Sequence, residues 1–570
     1  MRYGHSTERF ATLSEEILRT IWEHCPAGAT ILGVHDYDDT LGDVSASAFG
    51  CHADTFRRCI RSLQSDVDPA ELSAEDQLDY HVALSLASTN LIILDSQRAW
   101  ANNPSIYPSI CVWGIFGLLM RGFAPYEDRM KSVLTRLRQA PDLLESSKAS
   151  LCDPAPVFIQ IALDTIRGAL KFHEGPFIEC AKSVPSLTAE LLSANDRVIS
   201  AFRDYGRWLS EEALPHAHGD FAVGKDIYQQ LLFESHYLTY TPDDLVKLAE
   251  GVLEESQARI AEIAARIDPT VTWEQLVERL KDDHPPKDGL TEAYREAFES
   301  AKEFVVEHDL ATLADGEELV VGETPPFERS VLPYAAYMPP APFESSRTGC
   351  LWVTPVDESA PADVRKSQLM EHSVYSIPII ALHEGYPGHH LQLTRAMDQK
   401  SLLRKQVMND LMLEGWALYC EHLMHEQGFY TDPRVQLFQL KDMIWRACRV
   451  LLDVGLHTGE MTVDEAVRML VDRACIQEPS AVAEVKRYVS NPTQPMAYVI
   501  GRMLVFDLRD RMARNMGPAF NLKSFHDELL SYGSVPLPLI SARMLSQALP
   551  ARNECTARRS GRMQVDSAAG

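Results

Sequence analysis

Residues 241–268, TPDDLVKLAEGVLEESQARIAEIAARID, carry the clearest fold signal in this chain. Thr241 can cap a helix with its hydroxyl, and Pro242 suits the first turn, where no backbone donor is needed. Apolar residues then recur at helical spacing from Leu245 to Ile267. The stretch therefore predicts an amphipathic helix about seven turns long.

Helical spacing of this kind dominates the chain and predicts a mainly α fold. At 570 residues the chain exceeds what one core usually serves, so two lobes are expected. We place a helical lobe at 1–220, a helical catalytic lobe with the metal site at 221–549, and a disordered tail at 550–570. Further helical patterns cover residues 11–25, 75–98, 127–150, 182–210, 290–308, 400–426, 434–456, 463–473, 497–514 and 522–532.

One region interrupts the helical pattern. Residues 315–360 contain seven prolines, which exclude a helix on this scale. Within it, residues 349–354 (GCLWVT) form the best strand candidate and predict a small β element just before the histidine-rich segment. We consider two roles for this run: an edge strand that holds an extended substrate backbone, or an ordinary surface strand or loop.

Charge and cysteine content limit the possible partners and location. The chain has 54 basic and 81 acidic residues, a formal net charge of −27. This balance argues against a nucleic acid or an anionic membrane as partner. The eleven cysteines form no C-x-x-C pair, the N-terminus lacks an apolar signal, and the apolar run 110–120 is too short to span a bilayer. From these features we expect a cytoplasmic protein.

The segment with the most chemical information is residues 383–390, HEGYPGHH. Histidines at i and i+4 of a helix can share a zinc ion, with a glutamate at i+1 beside the bound water. Here the second histidine is His389 at i+6 or His390 at i+7. On an ideal helix, His389 would point about 120° away from His383, and His390 would lie two turns further on, about 10 Å away. Pro387 and Gly388 allow a bulge in the helix. A bulge of two residues would bring His389 to the metal, and a bulge of three residues would bring His390 there.

A second carboxylate motif, EGWALYCE, follows at residues 414–421. Glu414 is one helix downstream, the distance at which an antiparallel helix can supply a third ligand. Glu421 lies on the same helical face and is a candidate partner for a ligating imidazole. The alternative is that these are solvated glutamates, and that the histidines lie near a helix end without a metal.

H-E-x-x-P-G-H followed by E-G-W-A-x-Y-x-E resembles the domain-of-unknown-function 885 family. The resemblance covers about residues 12–549 and implies a largely helical, zincin-like fold, distantly similar to thermolysin-type and oligopeptidase-type metallopeptidases. The family motif places the second histidine at His389. Weaker matches are Ala29-Thr30, Gly33, Asp36-Tyr37-Asp38, Ser346-Arg347-Thr348-Gly349, Gln494-Pro495-Met496-Ala497-Tyr498, Gly501-Arg502, Leu529-Leu530, Gly533 and Pro536-Leu537.

With the resemblance, the ligand hypothesis becomes Zn²⁺ held by His383, His389 and Glu414. Zinc in such a site activates a water molecule, and Glu384 is then expected to act as the general base. This set predicts a zinc-dependent hydrolase of amide or peptide bonds, a metallopeptidase in the simplest case.

Three further residues are candidates for substrate chemistry. Tyr498 is our candidate donor to the oxyanion, although a core tyrosine is an equal alternative. Arg347 could bind a substrate carboxylate, as in a carboxypeptidase or dipeptidase, or serve only the surface structure. His390 is a candidate for contact with a ligand or with the substrate.

Two other functions stay open. A metal-dependent tailoring enzyme acting on a small molecule would need the same motif, and a helical scaffold could retain it without catalysis. The intact Glu384 argues against the scaffold. Serine hydrolase and nucleotide-binding motifs are missing from the sequence, so neither of those classes is expected.

Overall fold

The computed structural model describes residues 3–325, 329 and 335–545, and helices dominate it as predicted. The predicted tail at 550–570 lies outside the described residues. The first fourteen α-helices are α1 (Tyr3–His24), α2 (Pro26–Leu32), α3 (Ala46–Asp66), α4 (Ala74–Leu91), α5 (Ala99–Asn102), α6 (Ile106–Leu119), α7 (Tyr126–Ser150), α8 (Pro156–Glu174), α9 (Pro176–Lys182), α10 (Thr188–Trp208), α11 (Lys225–His236), α12 (Pro242–Ile267), α13 (Trp273–Leu280) and α14 (Leu290–Glu307).

The remaining α-helices lie in the second half of the chain, which contains the histidine-rich segment. In the described ranges, no helix has both the length and the apolar character needed to cross a membrane. These helices are α15 (Ala362–Met370), α16 (Ile377–Glu384), α17 (His389–Ala396), α18 (Leu402–Gln406), α19 (Asp410–Glu426), α20 (Pro433–Thr458), α21 (Val463–Ala474), α22 (Glu478–Ser490), α23 (Ala497–Met516), α24 (Leu522–Ser531) and α25 (Leu537–Met544).

Helix α12 forms for the reasons that its sequence indicates. The Thr241 hydroxyl accepts from the Asp244 amide, and the Asp244 carboxylate accepts from the Thr241 amide at 2.9 Å, which completes a capping box. The buried side of α12 packs along α20. One predicted helix differs: residues 400–426 form α18 and α19, because Val407 and Asn409 between them have extended backbones.

A three-stranded sheet interrupts the helices: β1 (Glu318–Glu323), β2 (Ala335–Met338) and β3 (Thr348–Val353). The order is β1-β3-β2, with β1 parallel and β2 antiparallel to β3. The strand predicted at 349–354 is therefore present, but its proposed role as an edge strand is wrong. It is the central strand and both of its edges are already hydrogen-bonded.

The sheet has its own small core, which positions α16. Leu351 and Val353 of β3 pack with Tyr294 and Phe298 of α14 and with Ile377 at the start of α16. A larger apolar cluster extends from residue 10 to residue 544 and includes side chains from both predicted lobes. The lobe boundary near residue 220 stays a prediction.

Candidate metal centre

The connection between α16 and α17 inserts two residues into what would otherwise be one helix. The amide of Gly388 donates to the carbonyl of Leu382 at 3.0 Å, and Leu391 donates to Gly385 at 3.3 Å. Both bonds span six residues, whereas an α-helical bond spans four. The extra two residues bring His389 to the turn that position i+4 would otherwise occupy.

Close packing holds this connection in place. A Cβ atom on Gly388 would lie 2.0 Å from the carbonyl oxygen of His383 and 2.3 Å from that of Leu382, so only glycine fits. On the other side, the indole of Trp416 in α19 donates to the carbonyl of Pro387 at 2.8 Å. The tryptophan of the downstream motif thus ties α19 to the histidine-rich turn.

The structure brings together His383, His389 and Glu414. One ligand atom from each lies within 4.8 Å of the other two. Glu414 Oε2 is 3.4 Å from Nε2 of His383 and 3.4 Å from Nε2 of His389, and this buried oxygen has no hydrogen-bond partner in the described part of the chain. Two ligands of a tetrahedral zinc, with bonds of 2.0–2.2 Å, are about 3.4 Å apart. The donor set, and the distance from Glu414 to each histidine, therefore fit zinc.

A buried carboxylate orients the first of these imidazoles. Nδ1 of His383 donates to Glu421 at 2.8 Å, which directs Nε2 towards Glu414. Arg446 of α20 contacts the same oxygen of Glu421 at 3.3 Å. The position of Glu421 behind a histidine agrees with its helical spacing from Glu414.

Electrostatics favour positive charge at this site. Burial would lower the pKa of His383, but the carboxylates of Glu414 and Glu421 outweigh it and raise that pKa to about 10. Burial would raise the pKa of Glu414, but His383 and His389 hold it well below its usual range. The carboxylates thus create a field suited to a bound cation.

A close helix crossing brings α23 to the site. A Cβ on Gly415 would lie 2.5 Å from Gly501, and one on Gly501 would lie 2.2 Å from the carbonyl oxygen of Leu411. These two glycines allow α19 and α23 to touch through their backbones. Tyr498, one turn before Gly501, then stacks on His383 with ring centroids 6.3 Å apart.

Two functional groups at the site are free of protein partners. Glu384 is half-buried, and its side chain makes no hydrogen bond or ion pair to any described residue. The hydroxyl of Tyr498 likewise has no hydrogen-bond partner within the described ranges. Burial and the charge of Glu414 raise the pKa of Tyr498, so its hydroxyl keeps its proton at neutral pH.

The structure places two other predicted residues away from this group. His390 is fully buried; its Nδ1 contacts the Tyr337 hydroxyl at 2.9 Å and its Nε2 contacts Glu317 at 2.6 Å. Arg347 donates to Asp398 at 2.5 Å, so its guanidinium is already paired with a carboxylate. Neither side chain joins the cluster of His383, His389 and Glu414.

Sequence reasoning missed the residues that support the site from other elements. Arg446 lies on α20, Tyr337 on β2, and Glu317 just before β1. No spacing in the sequence connects any of them to the histidine-rich segment. An available signal is that Tyr337 lies among the prolines and aromatic residues that precede the predicted strand.

Two solved structures resemble this chain over almost its full length. One is described as a "putative lipoprotein of unknown function" from Shewanella oneidensis, with 24% identity, coverage of 94% of this chain and 99% of that chain, and a TM-score of 0.78. The other is a "putative lipoprotein" from Colwellia psychrerythraea, with 18% identity, the same coverage and a TM-score of 0.80. These likenesses show a shared fold.

The comparisons correct the predicted location. Both of these structures are described as putative lipoproteins, so the prediction of a cytoplasmic protein is wrong. That prediction had relied on the scattered cysteines, on the polar first residues and on the short apolar run 110–120.

No curated protein matches the chain. A solved structure described as a "putative oligoendopeptidase F" from Bacillus anthracis has 11% identity, coverage of 90% of this chain and 96% of that one, and a TM-score of only 0.28, which is too low to indicate a shared fold.

The family comparison agrees with the two motifs that form the site. The model described as "Bacterial protein of unknown function (DUF885)" matches residues 26–544, which include both the histidine-rich turn and the EGWALYCE motif. The chain belongs to the DUF885 family of bacterial proteins of unknown function.

Proposed function

We propose that this protein is a zinc-dependent hydrolase of amide bonds, a peptidase in the simplest case. The observation that carries the proposal is that Glu414 lies 3.4 Å from both His383 and His389, with the unpaired carboxylate of Glu384 beside this group. Zinc held there supplies a Lewis acid that polarises a carbonyl and lowers the pKa of a water molecule.

Glu384 is the general base in this proposal. It directly follows His383 at the end of α16, and its half-buried carboxylate has no partner among the described residues, so it can accept a proton. It takes the proton from the attacking water and returns it to the leaving nitrogen. A half-buried glutamate with only a structural role would be stabilised by a hydrogen bond or an ion pair, and Glu384 has neither among the described residues.

Tyr498 is the proposed donor to the oxyanion that forms on the substrate carbonyl. Its hydroxyl is free, it stays protonated at neutral pH, and its ring is fixed against His383. Arg449 packs against the ring, with its guanidinium carbon 4.7 Å from the centroid, and this cation–π contact favours the observed position of the side chain. A fixed donor that needs no reorganisation suits stabilisation of a transition state.

The substrate class in this proposal is a peptide or a small amide-bearing molecule, and nucleic acid is not expected as a partner. The net charge of −27 supports the exclusion of nucleic acid. Because Arg347 is paired with Asp398, the carboxypeptidase or dipeptidase activity considered for Arg347 has no further support from its contacts.

The test is hydrolysis of a panel of peptides and small amides by wild-type protein, Glu384→Gln and the control Glu303→Gln. Glu303 is an exposed residue of α14 with no hydrogen bond or ion pair to any described residue, so its substitution makes the same charge change away from the site. We expect Glu384→Gln to keep its metal and lose about 10²–10⁴-fold in turnover, while the control stays at the wild-type level.

The panel also separates the alternatives. Turnover of small amides alone would favour a tailoring enzyme over a peptidase. No turnover of any substrate by the metal-loaded wild-type protein, or full activity of Glu384→Gln, would overturn the proposal.

A further inference from the structure

A buried polar network lies directly behind the proposed oxyanion donor. Its centre is Asp453 of α20, whose side chain is fully buried. We propose that Asp453 is a positioning residue, whose carboxylate, supported by contacts from α11, holds Tyr498 in place relative to Glu414. This inference rests on the proposed function of Tyr498.

Asp453 holds the turn that leads into α23. Its Oδ1 accepts from the amide of Thr493 at 3.1 Å, and its Oδ2 accepts from the amide of Met496 at 3.2 Å. Met496 is the N-cap residue of α23, and Tyr498 is two residues later. Both oxygens of one carboxylate therefore determine where α23 begins, and with it the position of Tyr498.

The turn has a backbone conformation that needs this support. Thr493 has a φ of +70°, which a β-branched residue rarely adopts. Such a conformation persists only where the surroundings impose it. Here the imposed contacts are the bond from the Thr493 amide to Asp453 and a 3.0 Å contact from the Thr493 hydroxyl to His236.

Helix α11 braces the network from both of its ends. The hydroxyl of Tyr228, in its first turn, donates to Oδ2 of Asp453 at 3.0 Å. His236, its last residue, contacts Thr493 through Nε2 and accepts from the side-chain amide of Asn409 at Nδ1, 3.1 Å away. Burial lowers the pKa of His236 to about 4, so the ring is neutral at pH 7 and can accept at Nδ1 while it donates from Nε2.

The Asn409 contact extends the network to the proposed metal ligand. Asn409 is the N-cap residue of α19, and Glu414 lies in the second turn of that helix. His236 therefore connects the starts of α19 and α23, the two helices that carry Glu414 and Tyr498. The groups of the network are buried and do not meet substrate, so their effect on the reaction acts through those two side chains.

The test uses Tyr228→Phe, which removes one hydroxyl and keeps the ring, because Asp453→Asn brings two donors together and can prevent folding. Its matched control is Tyr205→Phe, which removes a buried tyrosine hydroxyl bonded to Ser147 in the distant helix pair α7 and α10. Amide hydrogen exchange of the peptide covering residues 490–500 gives a readout that needs no activity. We expect faster exchange there in Tyr228→Phe and no change in Tyr205→Phe.

A double-mutant cycle then tests the link to Tyr498. With the amide substrate found for the wild type, Tyr228→Phe should lower kcat about 10-fold with KM within about twofold, since small misplacements of catalytic groups cost rates of this order. In the Tyr498→Phe background the same substitution should have less than a twofold effect. Equal losses in both backgrounds, or unchanged exchange at residues 490–500, would overturn the inference.

The failure of the inference and that of the proposed function have different signatures. If no amide is hydrolysed, or Tyr498→Phe leaves kcat unchanged, the proposed function of Tyr498 fails while the exchange data still test the network. If Tyr498→Phe lowers kcat but Tyr228→Phe does not, the proposed function stands and the positioning role of Asp453 is wrong.

Discussion

A single methyl group at Gly388 should disrupt the metal centre. In Gly388→Ala the new Cβ would lie 2.0 Å from the carbonyl oxygen of His383, and such contacts under 3.0 Å essentially never occur. Because the atoms nearest to this Cβ belong to the backbone, the turn must move by about 1 Å, which changes the spacing of His383 and His389. Metal ligands must keep their distances within about 0.2 Å.

The expected size of the effect follows from this displacement. Overpacking of this kind costs about 1–3 kcal/mol of stability. Loss of a supporting contact around a metal weakens binding about 10–100-fold, and displacement of His389 itself should cost at least the upper end of that range. Metal content by mass spectrometry, competition with a chelator, and the melting temperature measure these effects.

The matched control is Gly251→Ala, on α12. A Cβ at Gly251 meets nothing within 4 Å, so this alanine should raise stability slightly through its helix propensity. Gly388→Ala with wild-type zinc affinity and an unchanged melting temperature would refute the account of the turn.

Three further predictions follow from the same contacts. Glu421→Gln keeps the shape of the side chain but weakens the acceptor that orients the first histidine of the site, so zinc affinity measured by chelator competition should fall about 10–100-fold. Gly501→Ala places a methyl group 2.2 Å from a backbone oxygen of α19, so its melting temperature should fall, in contrast to an alanine at an open helical glycine. Burial would lower the pKa of His35, but the carboxylates of Asp38 and Glu344 outweigh this effect and raise that pKa from 6.5 to about 9. A group whose pKa is higher in the folded than in the unfolded protein stabilises the fold at pH values below its unfolded-state pKa. This stabilisation is lost as the pH rises through the folded-state pKa. His35→Gln should therefore lower the melting temperature at about pH 6 and have little effect at about pH 10.

The helical part of the fold could be predicted because local periodicity determines it. The capped stretch 241–268 forms α12 as the sequence predicts, since its cap, its first proline and its apolar face all act within one helix. The break at residues 407–409 could not be predicted, because those residues are held by partners far away in sequence. Asn409, for example, is bonded to His236 and to the carbonyl of Ser235.

The site shows the same division between local and distant information. Helix geometry and the Pro-Gly pair limited the second histidine to His389 or His390, and Glu421 was found from its spacing to Glu414. The sequence could not show that His390 faces Glu317, because that partner lies beyond a proline-rich stretch. It also could not show that Arg347 is paired with Asp398, since this contact depends on how the sheet packs against α17.

The most direct test of the central claim is metal analysis of purified wild-type protein, His383→Ala, His389→Ala and the control His308→Ala. His308 is exposed at the end of α14, so its loss removes an imidazole without touching the site. The account predicts about one zinc per chain in the wild type and the control, and almost none in the two site variants. Stoichiometric zinc that survives both His383→Ala and His389→Ala would contradict it.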